Sequence, residues 1–287
     1  MGAAPATSTG DRETGPGESR TAPQHPRSSP VRNGVSATLW FLAPFVILAA
    51  IWAMIVEGTG VPLRRFPQVT DVAMAGAAMM ADGSLWEHLG ASVWRVFQGG
   101  GLAILTGVPF GLLMGANRKV ATFFTPLLRF SVALAGIAWI PLATLWFRVD
   151  GAVTFIIWNA VFFSLVYNTM QGVQQIPVDF RRAAQSLGTG PLRMFPQVLF
   201  PGALPSIVTG LRVGMGYGWR GLIAAEIIAG TAGLGYSLFL AEKFFRTDVI
   251  VLMMILIGAI WLVMDRSLLA PLERRTVERW GMTKTER

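Results

Sequence analysis

Apolar residues run continuously over six stretches of the chain, at 36–56, 88–116, 122–147, 152–171, 204–229 and 248–269. A hydrocarbon core about 30 Å thick is crossed by ~20 apolar residues in a helix. Each stretch reaches that length, so the pattern predicts six membrane-spanning helices. A spanning barrel strand would instead alternate polar and apolar residues at period two. None of the six stretches alternates, and helices are the remaining way to satisfy a backbone in lipid. The expected fold class is therefore all-α integral membrane.

The polar intervals give the organisation. Residues 1–33 carry five of the 17 prolines (Pro5, Pro16, Pro23, Pro26 and Pro30) among Gly, Ser and scattered charges. Such a segment buries too little to offset its ordering entropy, and a disordered tail is expected. It does not read as a signal peptide, because the apolar run after it is too long and lacks a small-residue cleavage site. The first span and an extracytoplasmic loop follow at 34–84, a core transmembrane domain at 85–270, and a C-terminal tail at 271–287. Within the loop, Met74, Ala77, Ala78 and Ala81 stand at i, i+3, i+4 and i+7. That spacing predicts a short helix lying at the membrane interface.

Composition narrows the classes. Only 14% of residues are charged and 53% are hydrophobic, against roughly 25% charged in a soluble domain. The absence of cysteine excludes disulfides, Fe–S clusters and thiolate zinc sites. Two histidines, His25 and His88, leave little for an imidazole metal centre. The net charge of +8 is broken up by apolar blocks and makes no continuous patch for nucleic acid. With the N-terminus in the cytoplasm, 15 Lys and Arg fall on the inner side and five (Arg64, Arg65, Arg148, Lys243 and Arg246) on the outer side. That excess places both termini in the cytoplasm. The remaining four, Arg95, Arg129, Arg212 and Arg220, lie within or at the edges of spans.

The interval 176–205, between the fourth and fifth spans, is the most informative. Asp179 suits a helix N-cap. Phe180, Ala183, Ala184 and Leu187 then form one apolar stripe, with Arg181, Arg182, Gln185 and Ser186 on the other face. Gly188 stands where a left-handed helix terminus is expected. A second short helix begins near Thr189, with Pro191 in its first turn, and runs towards Pro201. On amphipathicity alone this element either lies on the membrane or docks in a groove of another protein.

The order of residues here, Ala183-Ala184-x3-Gly188, nine residues, then Val198-Leu199-Phe200-Pro201, resembles the loop signature of ABC importer permeases. The family pattern is Glu-Ala-Ala-x3-Gly-x9-Ile-x-Leu-Pro, and this chain departs from it at Arg182, where Glu is usual. The stretches Leu85–Leu89, Ile140–Phe147, Pro201–Ile207, Gly210–Arg212, Ala225-Glu226 and Gly233–Tyr236 are similar to the nitrate/sulfonate/taurine permeases. The resemblance covers roughly 85–265. It implies a type I ABC importer permease fold, six transmembrane helices with a cytoplasmic coupling helix, in the plasma (inner) membrane. It assigns ATPase coupling to Phe180, Arg182, Ala183, Ala184, Leu187, Gly188 and Pro201. It also implies a second permease copy in a homodimer, two ABC ATPase subunits that carry the ATP and magnesium, and an extracytoplasmic substrate-binding protein. The implied cargo is a small oxyanion such as nitrate, taurine or an alkanesulfonate, moved by alternating access, with no cofactor in this chain.

Ionisable residues inside a span are functional candidates by default. Arg220 and Glu226 are candidates for the pathway, since a guanidinium binds planar oxyanions in a fork. They lie six positions apart, about 240° around a helix, and do not pair along one face. A carboxylate repels an anion, which favours a structural hydrogen-bonding role for Glu226. Arg212 is read as snorkelling to the cytoplasmic interface. Gly107, Gly111 and Gly115 put small residues at four-residue spacing on the second span, and the fifth span is likewise rich in Gly and Ala. Both read as close-packing faces. No phosphate-loop pattern is present in the sequence, so ATP would be bound elsewhere. A membrane-embedded enzyme would need convergent titratable groups that the spans lack. A secondary transporter without an ATPase would show an internal repeat and several buried acids. An ABC permease for a neutral heterocycle is the nearest alternative within the family.

Overall fold

Why one helix ends and the next begins is set largely by where Gly and Pro interrupt otherwise uniform apolar runs. The computed structural model describes residues 34–59, 67–134 and 136–279, and all the described elements are helical. The expected tail at 1–33 and the end of the C-terminal segment at 280–287 lie outside the described residues. Two units are distinguished, Met1–Ala50 and Ile51–Arg287. Helix α1 (Gly34–Thr59), which runs from the first unit into the second, covers the apolar run at 36–56, and Phe45, Val46, Ile47 and Leu48 are all exposed. A helix apolar on every side is what a lipid surround selects.

The second unit contains α2 (Val69–Ala81), α3 (Ser84–Ala116), α4 (Arg118–Ala133), a 3-10 turn (Gly136–Trp139) and α5 (Ile140–Gln174). Then come α6 (Val178–Ser186), α7 (Pro191–Met194), a π turn (Phe195–Leu199) and α8 (Phe200–Ala229). The chain ends with α9 (Leu234–Lys243), α10 (Thr247–Met264), a second π turn (Asp265–Leu269) and α11 (Ala270–Arg279). Among the described residues, four helical stretches are long and apolar enough to cross a membrane: Ser84–Ala116, Gly136–Gln174, Leu192–Ala229 and Thr247–Thr276. Both π turns lie inside continuous helices. At the first, Pro196 and Pro201 remove backbone donors, a common cause of such local rewinding.

One expectation is corrected here. The run at 122–147 is not one helix. α4 stops at Ala133, Leu134 is extended, and α5 starts at Ile140 with Pro141 in its first turn. Pro141 cannot donate and its ring clashes one turn back, so the helix restarts there instead of passing through. α5 then breaks again at Arg148, whose φ of 59° is a left-handed conformation rare for a side-chain-bearing residue. In α2 the contacts within the chain use a different face from the stripe expected at the interface. The helix forms, but Val72, Ala75 and Gly76 are its buried face, with Met79 packed beside them, while Met74 is exposed. Gly76 lies against Leu252 of α10. In a helix almost without polar residues two stripes satisfy the same period: this one packs on the chain, and the stripe of Met74, Ala77, Ala78 and Ala81 faces outward.

α5 is the centre of the bundle, packed between α3 and α8. Small residues set both approaches. A Cβ at Gly111 would lie 2.6 Å from Thr169 Cβ, and one at Gly115 2.5 Å from Val173 Cβ. On the opposite side, Gly210 meets Asn168 and Gly218 meets Val161. The glycine faces expected from sequence are therefore used within this chain. Gly111→Val is expected to destabilise the protein by about 1–3 kcal/mol through overpacking. Gly101→Ala, on a helix face with nothing within 4 Å, is expected to leave stability unchanged or raise it by about 0.5–1 kcal/mol. Thermal midpoints of the two detergent-solubilised variants check the contrast, and equal midpoints would remove the packing role.

Candidate functional site

The element between α5 and α8 is built by its termination. α6 begins at Val178 with Pro177 as its N-cap, two residues before the Asp179 expected in that role, and Asp179 falls in the first turn. At its end, Gly188 N–H donates to Gln185 O at 2.9 Å and Thr189 N–H to Ala184 O at 3.0 Å. This pair of bonds is the Schellman arrangement, and it requires the left-handed Gly188, φ +79°. The Arg181 guanidinium donates to Val173 O, fastening α6 to the end of α5. Of the stripe, Ala184 turns inward beside the cluster of Val173, Met194, Leu199 and Ala203. Phe180, Ala183 and Leu187 are exposed, Phe180 by 67% and Leu187 by 87%. Arg182 is exposed as well. Phe180 and Pro201 line one cavity of about 620 Å³ between α5, α6 and α8, while Leu187 and Gly188 stand free at the helix end.

A second cavity, about 690 Å³, lies where α4, α5 and α8 meet below the 3-10 turn. Its lining is largely apolar but includes Arg129, Asn159, Ser164, Tyr167, Asn168 and Arg220. The Arg220 guanidinium lies 6.0 Å from the Tyr217 ring centroid. Its volume falls within the usual range for small-molecule pockets, roughly 300–1,000 Å³.

Glu226 lies elsewhere. It is fully buried and every carboxylate bond is made inside the protein. Oε1 accepts from Arg95 Nη1 at 2.9 Å and from Ser92 Oγ at 2.8 Å, and Oε2 accepts from Gly235 N–H at 3.0 Å. Arg95 also donates to Ala232 O at 2.6 Å and to Asp150 at 2.6 Å. Ser92 accepts from Leu234 N–H at 2.9 Å, and His88 Nδ1 from Gly233 N–H at 3.2 Å. The loop before α9 is thus pinned onto one face of α3. Gly233, at φ +120°, leaves no room for a side chain, since a Cβ would lie 2.2 Å from Glu226 Oε1. Of the two pathway candidates, then, the cavity contains Arg220 and not Glu226.

The partners of Glu226 were missed in the sequence, although a pattern marks them. His88, Ser92 and Arg95 stand at i, i+4 and i+7, a polar stripe on an otherwise apolar helix. Arg212 is also more than a snorkelling residue. It forks Asp265 at 2.7 and 2.8 Å and reaches Glu273, tying α8 to the helix that ends in α11. Among the described residues, no group of three or more His, Cys, Asp or Glu could hold a metal ion.

Residues 107–274 match the family described as binding-protein-dependent transport system inner membrane component. The chain is 34% identical over 251 residues to the taurine transport system permease protein TauC of Escherichia coli, covering 86% of this chain and 90% of that protein. It is 33% identical to the putative aliphatic sulfonates transport permease protein SsuC of the same organism, over 84% and 91% of the two chains. It is 36% identical to the bicarbonate transport system permease protein CmpB of Synechococcus elongatus, over 64% and 66%. In solved structures, a chain of the inward-facing MetNI methionine ABC transporter superposes with a TM-score of 0.50 at 20% identity, over 68% of this chain and 98% of that one. At that identity the likeness concerns the fold alone. With more than half of its length matching the family, and with TauC similar across nearly the whole chain, the protein belongs to the inner membrane components of binding-protein-dependent transport systems, the ABC permeases.

Proposed function

We propose that this permease forms the translocation pathway of an ATP-driven importer for a small oxyanion: taurine, an alkanesulfonate, nitrate or bicarbonate. Two copies pair in the inner membrane, each with six spans and both termini cytoplasmic, and an extracytoplasmic binding protein delivers the cargo. Two ATPase subunits hold ATP and magnesium, and α6 is the coupling helix that seats in their clefts. ATP binding closes the ATPases, α6 follows, and the paired permeases reopen outward.

The observation that carries this reading is the exposed Phe180–Ala183–Leu187 edge of α6. It is apolar, it belongs to a helix clamped at both ends, and among the described residues none covers it. Rigidity matters because a helix transmits displacement only if it cannot unravel under load. The oxyanion assignment is supported by the relatives named for taurine, aliphatic sulfonates and bicarbonate and by the two guanidinium groups in the cavity. The test is reconstitution of the permease with its ATPase and binding protein in liposomes. Accumulation of taurine or ethanesulfonate that requires both ATP and the binding protein is expected. Uptake that persists without the ATPase would overturn the reading in favour of a secondary transporter.

A further inference from the structure

The cavity between α4, α5 and α8 holds polar groups that the protein itself leaves unsatisfied. Arg129 and Arg220 line it from two different helices, and no Asp or Glu does. Among the described residues neither arginine has an ion-pair partner, and Arg220 only approaches a tyrosine ring. Arg95 of α3 and Arg212 of α8, by contrast, are both neutralised by carboxylates. Asn159, from α5, is buried, lines the same cavity and makes no side-chain hydrogen bond among the described residues. Its neighbours differ: Asn168 donates to Ser164 O at 2.8 Å and Ser164 to Gly210 O at 3.2 Å.

An unpaired guanidinium in a spanning helix is costly unless it faces a water-filled path, and a buried amide without a partner carries its own desolvation cost. Two exposed guanidinium groups and one buried amide, on three helices that share this cavity, are donors open to an acceptor-only ligand. We infer that Arg129, Arg220 and Asn159 form an anion-binding site within the translocation cavity, the two guanidinium groups taking the oxygens of a sulfonate or similar oxyanion and the Asn159 amide donating a further hydrogen bond. This rests on the proposed import of an oxyanion, and it adds the residues that select one. Neutral cargo of the same shape leaves both charges unpaired and is rejected for that reason. A mostly apolar surround keeps the site weak enough to release what it binds, as conduction requires.

The experiment is residue-resolved protection of arginine. The permease–ATPase complex in nanodiscs is treated with phenylglyoxal, and modification of Arg129 and Arg220 is followed by mass spectrometry. Methanesulfonate is the probe and dimethyl sulfone its neutral isostere. The site predicts that methanesulfonate slows modification of both arginines and that dimethyl sulfone does not. Arg129→Met is expected to abolish protection of Arg220. Asn159→Leu is expected to raise the methanesulfonate concentration for half-protection by about tenfold, the loss of one hydrogen bond to a charged group. Protection of neither arginine, protection of only one, or equal protection by the sulfone would overturn the site. So would arginines that are unreactive without any anion, which would mean that a carboxylate of a second copy already occupies them. Because the assay needs no transport, failed ATP-driven uptake in the unmodified complex would sink the import reading separately.

Discussion

Arg95→Ala is expected to destabilise the protein by about 3–5 kcal/mol, the usual cost of stripping one partner from a buried ion pair. The reason is the position of Glu226, whose carboxylate has no exposure and whose one ion-pair partner among the described residues is Arg95. Ser92 and the Gly235 amide still donate to it, but neither supplies a positive charge. The bond from Arg95 to Asp150 contributes far less. Asp150 is 77% exposed, and an ion pair open to water is worth about 0–1 kcal/mol. Asp150→Asn is therefore expected to stay within about 1 kcal/mol of the parent. The double substitution Arg95→Met with Glu226→Leu is expected to recover most of the single-variant loss, since apolar replacement of a whole buried pair is often neutral. Thermal midpoints of the solubilised proteins separate these cases. At about 2–4 °C per kcal/mol, Arg95→Ala falls by roughly 10 °C and the double variant by much less. An Arg95→Ala protein as stable as its parent would show that Glu226 does not depend on this charge.

The network also marks the limit of what the sequence makes legible. Apolar runs locate the helices because length and uniform hydropathy are local properties. The clamp at the end of α6 was legible for the same reason, since Gly188 just past the stripe is a short-range cue and it indeed adopts the left-handed conformation. The break at 134–141 was not. Pro44, Pro109, Pro126 and Pro205 all sit inside helices of this chain, so Pro141 did not stand out as the one that starts a helix afresh. Pairings across the bundle were less legible still. Glu226 and Arg95 are 131 residues apart, and helical geometry within α8 could show only that Arg220 is not the partner. In α2 two stripes fit one period, and the sequence alone did not show which of them packs against α10.

Ala183→Asp is expected to abolish ATP-driven uptake while leaving insertion and folding intact. Ala183 is exposed on the edge formed with Phe180 and Leu187, so the new carboxylate is harmless to the free chain and is solvated until α6 enters an apolar cleft. Entry then requires removing that charge from water without a partner. Even a heavily relaxed cost of about 3 kcal/mol weakens productive docking by roughly a hundredfold. Ala184→Asp is a poorer probe, because Ala184 packs against the cluster at the base of α8 and a charge there damages the fold directly. The matched control is Gln185→Asp, which adds the same charge two positions along, about 200° around the helix, at an exposed site. Charge alone, a change in membrane topology or general damage to α6 would impair both variants equally. Docking through the apolar edge impairs only Ala183→Asp, with the ATPase no longer retained on gentle extraction and hydrolysis no longer linked to uptake. Wild-type uptake in Ala183→Asp, with the ATPase still bound, would mean that the force reaches the spans through some other surface than this edge of α6.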